Sequence, residues 1–275
     1  IMHRKLNIMT LVLSLFSLPF FSLEISIDGK LDESIWNDAD EYTKYYESLP
    51  FTLNEPKDYQ KVLILEDENG IYLGFVNEQA KETVRANKHE RDDEMSNTDK
   101  AGLAIDFDGD GLTAYAFTVS ASGSISDGIY RNENEVNYDW DADWKSAVFI
   151  DDDFWYVEMF IPWSIAPMKA VKGEFREVKL SFWRLLAAEW RVNTSIKGNP
   201  MQEKFISLFH AYNFKNYNVS KLDFFPYLTL SDDRILEEEN SKVGAEIFWK
   251  IDSGKQLNIA LNPDFGQVES DELVV

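Results

Sequence analysis

The chain contains no cysteine and only three histidines among its 275 residues, and 27 basic side chains face 49 acidic ones. The missing cysteine excludes disulfides, thiol nucleophiles and thiolate metal sites, and three histidines leave little for a histidine-rich zinc site. A net charge of −22 argues against nucleic acid as a partner and against docking on anionic lipid through a basic patch. The apolar and aromatic fractions, 44% and 14%, are typical of a folded protein rather than of a disordered acidic tail.

The first residues have the composition of a targeting segment. Residues 2–5 form a short basic segment, and residues 6–21 are almost all apolar. This layout predicts a secretory signal peptide over residues 1–23, because the apolar run is short for a membrane span. An anchor that stays attached is the alternative. We therefore expect an exported protein of bacterial origin, in the periplasm, at the outer membrane or on the cell surface.

Most of the remaining chain reads as short strands. Asn69-Gly70 predicts a hairpin turn, with Val62, Ile64, Ile71, Leu73 and Phe75 on one apolar face. Residues 78–100 read as a long polar loop, and residues 32–39 and 164–168 as helical turns. Without a βαβ rhythm, the pattern favours an all-β fold, an antiparallel, jelly-roll-like β-sandwich over residues 24–212. The predicted strands are 24–27, 61–66, 71–77, 101–107, 114–120, 144–150, 154–161 and 179–185.

Residues 213–275 have a different pattern. Residues 221–230 and 242–251 alternate strictly between apolar and polar, residues 256–261 continue the pattern, and residues 232–241 read as a charged loop. Two or three such strands cannot bury an apolar face alone. They are expected either to extend the sandwich or to begin a domain that continues past Val275, and we interpret the chain as truncated.

Several phrases carry a resemblance to a known family. Residues 27–36, which read IDGKLDESIW, resemble the opening of family 9 carbohydrate-binding modules, and residues 71–75, 99–107 and 155–163 continue the agreement. The resemblance covers residues 24–170 and implies a sugar-binding sandwich. Residues 261–271 resemble an uncharacterised family of bacterial outer-membrane proteins in which such a module precedes a β-barrel. Residues 213–275 would then be the first strands of an outer-membrane β-barrel domain. Strands that alternate between apolar and polar residues are typical of the wall of such a barrel.

An aromatic and acidic constellation is the candidate sugar site. Sugar rings stack their apolar C–H faces on exposed aromatic rings, while carboxylates, amides and arginine bind the hydroxyls. The candidate residues are Tyr130, Arg131, Asp139, Trp140, Asp141 and Trp144. The resembling family grips sugar between two tryptophans, but a spacing of four along a strand places both rings on one wall. The alternative is that Trp144 belongs to the core and that Trp140 caps the sandwich.

A second constellation is a candidate calcium site. Asp106, Asp108 and Asp110 alternate like the first half of a calcium loop, and the resemblance implies structural calcium. The twelfth position is Phe117 rather than Glu, so the segment is not an EF-hand. Asp127 or Asp99 would complete the shell of ligands. The alternative is a β-turn in which Gly109 and Gly111 supply positive φ and the acids are solvated.

No catalytic residue is predicted. Glu158 lies in a strand that is apolar on both faces, where burial would raise its pKa and make a general-acid role conceivable. A glycosidase needs a second carboxylate at a defined separation, and none stands out. The resemblance favours a structural hydrogen-bonding role for Glu158. His89 is expected to be solvated and His210 to be packed.

These observations lead to one functional hypothesis and two alternatives. The leading hypothesis is non-catalytic binding of an oligo- or polysaccharide by an exported sandwich that is joined through its C-terminal region to an outer-membrane β-barrel. The first alternative is the accessory module of a glycoside hydrolase in carbohydrate catabolism, with its catalytic domain absent. The second is a structural or partner-binding domain that has lost sugar binding.

Overall fold

The computed structural model describes residues 25–93, 95–131, 134–199, 201–217, 221–233, 238–252 and 255–262. The predicted signal peptide and most of the phrase 261–271 lie outside the described residues. Short 3₁₀ helices lie at Ser34–Asp38, Lys81–Thr83, Trp163–Ile165 and Ile206–Leu208. The strands are β1 (Asp40–Tyr42), β2 (Tyr46–Leu49), β3 (Gln60–Glu66), β4 (Gly70–Glu78), β5 (Lys100–Asp106), β6 (Tyr115–Ser120), β7 (Ile125–Arg131), β8 (Glu135–Asn137), β9 (Lys145–Ile150), β10 (Phe154–Pro162), β11 (Phe175–Leu186), β12 (Arg191–Thr194), β13 (His210–Lys215), β14 (Lys221–Asp233), β15 (Glu238–Asp252) and β16 (Lys255–Leu261).

The predicted antiparallel β-sandwich is confirmed. One sheet has the strand order β1-β3-β4-β10-β9, and the other has the order β2-β12-β11-β5-β6-β7-β8, with β13 paired to β11. Within each of these two sheets, every pair of neighbouring strands is antiparallel. Strand β13 continues the second sheet to Lys215, so the sandwich crosses the expected domain boundary at residue 212.

The core lies between the two sheets. The predicted apolar face of the first hairpin is confirmed, because Val62 pairs with Phe75 and Ile64 with Leu73, and all four side chains are buried in the main cluster. From β10 the alternate residues Trp155, Val157, Met159 and Ile161 add to this face, and Leu103, Ile105, Phe117 and Phe182 of the second sheet pack opposite. Each large apolar side chain that leaves water contributes about 1.5–3 kcal/mol.

A buried carboxylate fastens the N-terminal segment to the outer face of the first sheet. Glu158 has no exposed surface, and its Oε2 accepts the backbone N–H groups of Asp28 at 2.8 Å and Gly29 at 2.7 Å. Space for the segment exists because Gly74 lies beside Glu158 in the sheet. A Cβ on Gly74 would lie 2.6 Å from the side chain of Leu31. The two phrases that resemble the sugar-binding family, IDG and the β10 phrase, therefore meet here.

Three local predictions need correction. Residues 25–27 form no strand, because they cover the outer face of the sheet instead of pairing with it. The hairpin exists, but its loop is 67–69, since the Asp67 carboxylate accepts the N–H groups of Asn69 and Gly70. Residues 232–241 are not wholly a loop, because Asp232 pairs with Glu239 and Ser231 with Asn240. Long strands pair even where their side chains are charged, since the ladder uses backbone groups.

Strands β14, β15 and β16 form a separate three-stranded antiparallel sheet. The register aligns Leu222 with Trp249, Phe224 with Ile247, and Ile259 with Ile247, so one face of this sheet is apolar. The opposite face is mixed: it carries Asp223, Glu246 and Gln256 together with Phe225, whose ring contacts that of Phe248. Apolar side chains on the first face are exposed. Among the described residues, no helix has the length and apolar character needed to cross a membrane.

The environment of Glu158 predicts a pH-dependent stability. Burial is the largest effect and raises the pKa of Glu158 to about 7, although the N–H groups of Gly29 and Asp28 act in the opposite direction. The folded state therefore binds more protons than the unfolded state between about pH 4.5 and pH 7, and stability falls as the pH rises through that window.

We expect Glu158→Gln to remove this dependence while its side-chain oxygen still accepts both N–H groups. Relative to wild type, the variant should gain on the order of 2–3 kcal/mol of unfolding free energy between pH 4.5 and pH 8. Urea unfolding at a series of pH values measures the difference. Glu177→Gln, on an exposed position of β11, is the control. Parallel curves for wild type and Glu158→Gln would contradict the assignment.

Candidate functional site

The segment 138–144 closes one open side of the sandwich. It runs from β8, an edge strand of the second sheet, to β9, an edge strand of the first. Trp144 at its end is buried, and its ring lies 5.3 Å from the ring of Phe117 in an edge-on contact. The Trp144 Nε1 donates to Asp127 Oδ2 at 3.3 Å. Trp144 therefore fills the gap between the sheets, as large aromatic side chains commonly do.

Trp140 lies at the mouth of the same gap. Its ring is half-buried, with its centre 5.0 Å from the ring of Tyr115 and 6.0 Å from that of Phe117. The rest of the ring lines a cleft of about 370 Å³. The other lining residues are Asp141, Ala142, Asp143, Trp144, Lys145, Phe160, Pro162, Ser164 and Ile165. An aromatic wall with carboxylates and an ammonium at the rim of the cleft offers both a stacking surface and hydrogen-bonding groups to a small ligand.

The structure brings together only part of the predicted sugar site. Trp140, Trp144 and Asp141 share the cleft. Tyr130 is buried in a different cluster, where its ring packs on Phe205 at 5.8 Å. Arg131 and Asp139 are exposed, and neither lines the cleft. Asp139 instead accepts a hydrogen bond from Asn137 Nδ2 at 2.9 Å.

Asp127 organises the segment from below. It is fully buried, and it accepts hydrogen bonds from the backbone N–H of Ala142 at 2.7 Å and from Arg91 Nη2 at 2.5 Å. Arg91 also contacts Asp141 at 2.9 Å, which links the long polar loop to the cleft. Asp92, Asp127 and Asp141 bring carboxylate oxygens within 4.8 Å of one another. Arg91 forms an ion pair with each of these three acids. Sequence reasoning did not foresee this cluster, because the acids are far apart in the chain.

The turn predicted to bind calcium is held by the protein's own donors. Asp106 accepts the N–H groups of Asp108, Gly109 and Gly111 at 2.7–3.1 Å, and Gly109 and Gly111 have positive φ. Asp108 accepts the backbone N–H of Lys169 at 2.8 Å, and Asp110 binds Lys169 Nζ at 2.5 Å. The hydrogen bond from Lys169 holds the pKa of Asp110 below its usual value. These carboxylates fit a hydrogen-bonded turn, and a calcium ion would have to displace Lys169.

His210 and His89 have different surroundings. His210 stacks on Tyr42, with ring centres 4.5 Å apart, and burial lowers its pKa to about 4, so it is packed as predicted. His89 is only partly exposed, and its Nδ1 lies 2.8 Å from the carbonyl oxygen of Glu90. Neither ring faces the cleft at Trp140.

Sequence reasoning missed an exposed tryptophan. Trp190 lies in the turn between β11 and β12, is 54% exposed, and has a φ of 52°. A bulky residue with positive φ is an outlier that the surrounding structure must hold in place. The signal in the sequence was a tryptophan between two charged residues at the end of an alternating run. That signal is weak, because β12, whose pairing with β11 makes residues 187–190 a turn, was not predicted.

Calcium binding at the 106–110 turn remains a prediction. It can be tested by removing the Lys169 ammonium, which competes with calcium for the Asp110 carboxylate. Lys169→Met would remove the ammonium group that binds the Asp110 carboxylate, so millimolar calcium should raise the melting temperature of the variant more than that of wild type, since a ligand of the folded state stabilises it. Magnesium at the same concentration is the control for ionic strength. Equal shifts, or no shift in either protein, would contradict calcium binding and favour the turn.

Comparison with known proteins yields neither a matching protein-family model nor a matching curated protein. Five solved chains are similar to this chain, and they include the following three. Two are a family 9 carbohydrate-binding module from Caldicellulosiruptor kristjanssonii: the complex with cellotriose has 15% identity and a TM-score of 0.44, covering 68% of this chain and 87% of that one. The complex with glucose has 14% identity and a TM-score of 0.46, covering 68% and 89%. The third, a candidate carbohydrate-binding protein from Bacteroides uniformis, has 12% identity and a TM-score of 0.49, covering 65% and 87%.

Proposed function

We propose that the sandwich binds carbohydrate at the Trp140 cleft without performing chemistry on it. The observation that carries the proposal is the half-exposed ring of Trp140 in a cleft with Asp141, Asp143 and Lys145 at its rim. A pocket of this size lies within the range of small-ligand sites and suits the end of a sugar chain. The ring offers its π face to sugar C–H groups, and the charged rim offers acceptors and donors to hydroxyls.

The geometry of Glu158 supports a non-catalytic role. Its raised pKa would suit a general acid, but its side chain is fully buried and its Oε2 is occupied by the N–H groups of Asp28 and Gly29. A glycosidic oxygen would have to reach this carboxyl through the N-terminal segment. The carboxylate therefore supports the fold rather than a reaction.

The Trp140 cleft can be tested by calorimetric titration with cello- and xylo-oligosaccharides. We expect wild type to bind, and Trp140→Ala to lose at least tenfold in affinity because the stacking surface is removed. Phe149→Ala is the control, since Phe149 is also partly exposed (38%) but lies outside the cleft. A melting curve shows whether Trp140→Ala stays folded. The absence of binding across a broad panel of glycans would refute the proposal.

The second part of the proposal concerns the C-terminal sheet. We propose that β14–β16 lie in the outer membrane as the first strands of a β-barrel, with the apolar face toward lipid. Leu222 and Val243 on that face are 64% and 69% exposed, which water disfavours and hydrocarbon favours. Transmembrane strands need about 9–11 residues, and β14 and β15 have 13 and 15.

Two neighbouring phenylalanines provide a matched test of this placement. Phe224 on the apolar face and Phe225 on the opposite face are 58% and 55% exposed. Lysine on a lipid-facing strand costs about 2–4 kcal/mol at the bilayer midplane, so Phe224→Lys should reduce co-flotation of the chain with phosphatidylcholine vesicles at least tenfold. Phe225→Lys should change it little. Equal effects of the two variants would contradict a lipid-facing side.

A further inference from the structure

A second aromatic surface lies at the far edge of the larger sheet. Leu49 pairs with Val192, so the turn that follows Leu49 and carries Phe51 runs beside the turn that precedes Val192 and carries Trp190. Leu49, Phe51 and Trp190 are 39%, 54% and 54% exposed. We call these three residues the edge platform. Strand β2 borders this edge and β8 borders the opposite one, so the edge platform is separate from the Trp140 cleft.

The backbone around Trp190 is held from inside the protein. The turn is fixed by the fully buried Asp99, whose Oδ1 accepts the N–H of Ala187 at 2.7 Å, and by Arg85, whose Nη1 donates to the carbonyl oxygen of Ala187 at 3.2 Å. Trp190 itself keeps a left-handed conformation that tryptophan rarely adopts. Strain of this kind clusters at binding sites, where the surrounding structure holds it, and here it keeps a large ring in water.

The charges beside the edge platform are predominantly negative. Arg191 contacts three carboxylates: Glu189 at 3.0 Å, Asp58 in a short ion pair, and Glu47 at 3.8 Å. One guanidinium cannot neutralise three acids, and the side chains of Glu189 and Asp58 are 60% and 33% exposed. The surface thus combines exposed aromatic rings with an excess of negative charge, and the whole chain carries −22. Such a field attracts cations and repels anions.

We propose that the edge platform binds amino sugars in their protonated form. The apolar face of a pyranose would lie on Trp190, and its ammonium group would approach the ring face and the carboxylates of Glu189 and Asp58. Cations are attracted to the face of tryptophan more than to other aromatic rings, and the surplus carboxylates complete the charge match. A uronate would be repelled, and an N-acetylated or neutral sugar would lack the charged group. This inference rests on the proposal that the sandwich is a glycan-binding domain.

Titration with a glucosamine oligomer, its N-acetylated counterpart of equal length and a cello-oligosaccharide tests the proposal. At mildly acidic pH and low salt we expect the glucosamine oligomer to bind wild type at least tenfold more tightly than the other two. Trp190→Ala should weaken that binding at least tenfold, and Trp190→Phe should retain part of it. Glu189→Gln should weaken it several-fold. Added salt should weaken it as well, because exposed charges are screened.

Phe149→Ala is the matched control, because it removes a partly exposed aromatic ring (38%) that belongs neither to the edge platform nor to the Trp140 cleft. We expect it to leave glucosamine binding unchanged. Retained binding in folded Trp190→Ala, or equal binding of the acetylated oligomer, would overturn the edge platform as an amino-sugar site. Loss of cello-oligosaccharide binding in Trp140→Ala would in that case leave the proposed function intact, so the two failures are distinguishable. Trp190 is largely exposed, and a melting curve confirms that its variants remain folded.

Discussion

Two sheets with apolar inner faces form a stable core only if every open side between and around them is closed against water. In this protein two fully buried carboxylates, Asp127 and Glu158, hold closing segments in place. A buried carboxylate is costly unless it is hydrogen-bonded, so each binds backbone N–H groups of a particular segment. Asp127 binds the segment 138–144 through Ala142, and Glu158 binds the N-terminal segment through Gly29.

The binding surfaces follow from how this closure is made. Trp144 is buried between the sheets and fills the gap there. Trp140 lies at the mouth of the gap, keeps part of its ring accessible and forms the wall of a cleft. The pair therefore acts as one buried and one available ring. At the opposite edge of the larger sheet, Trp190 is kept in solvent by a turn that the buried Asp99 holds. In both places a buried aspartate positions an aromatic side chain.

Most of the longer strands were predictable because alternation over six or more residues reports the burial of one face. The face formed by Val62, Ile64 and Phe75 is an example. The short strands β1, β2, β8 and β12 were not predicted, since three or four residues carry too little pattern and their pairing depends on neighbours distant in sequence. Strands β7 and β13, of seven and six residues, were not predicted either, and β7 contains Asp127 and Gly128, residue types that are typical of turns. Residues 24–27 looked like a strand for a related reason. Their alternation is real, but residues 25–27 cover an outer sheet face instead of joining a sheet.

The sequence by itself determined the class of fold, the absence of cysteine chemistry and the two-faced character of the C-terminal strands, because these depend on composition and on short-range periodicity. It also indicated a structural role for Glu158. Only the tertiary structure decided which rings and acids are free. Asp106 caps its own turn, Asp110 is neutralised by Lys169, and Tyr130 is covered by Phe205. The burial of a single side chain depends on segments that are far away in the sequence, and local pattern does not report those partners.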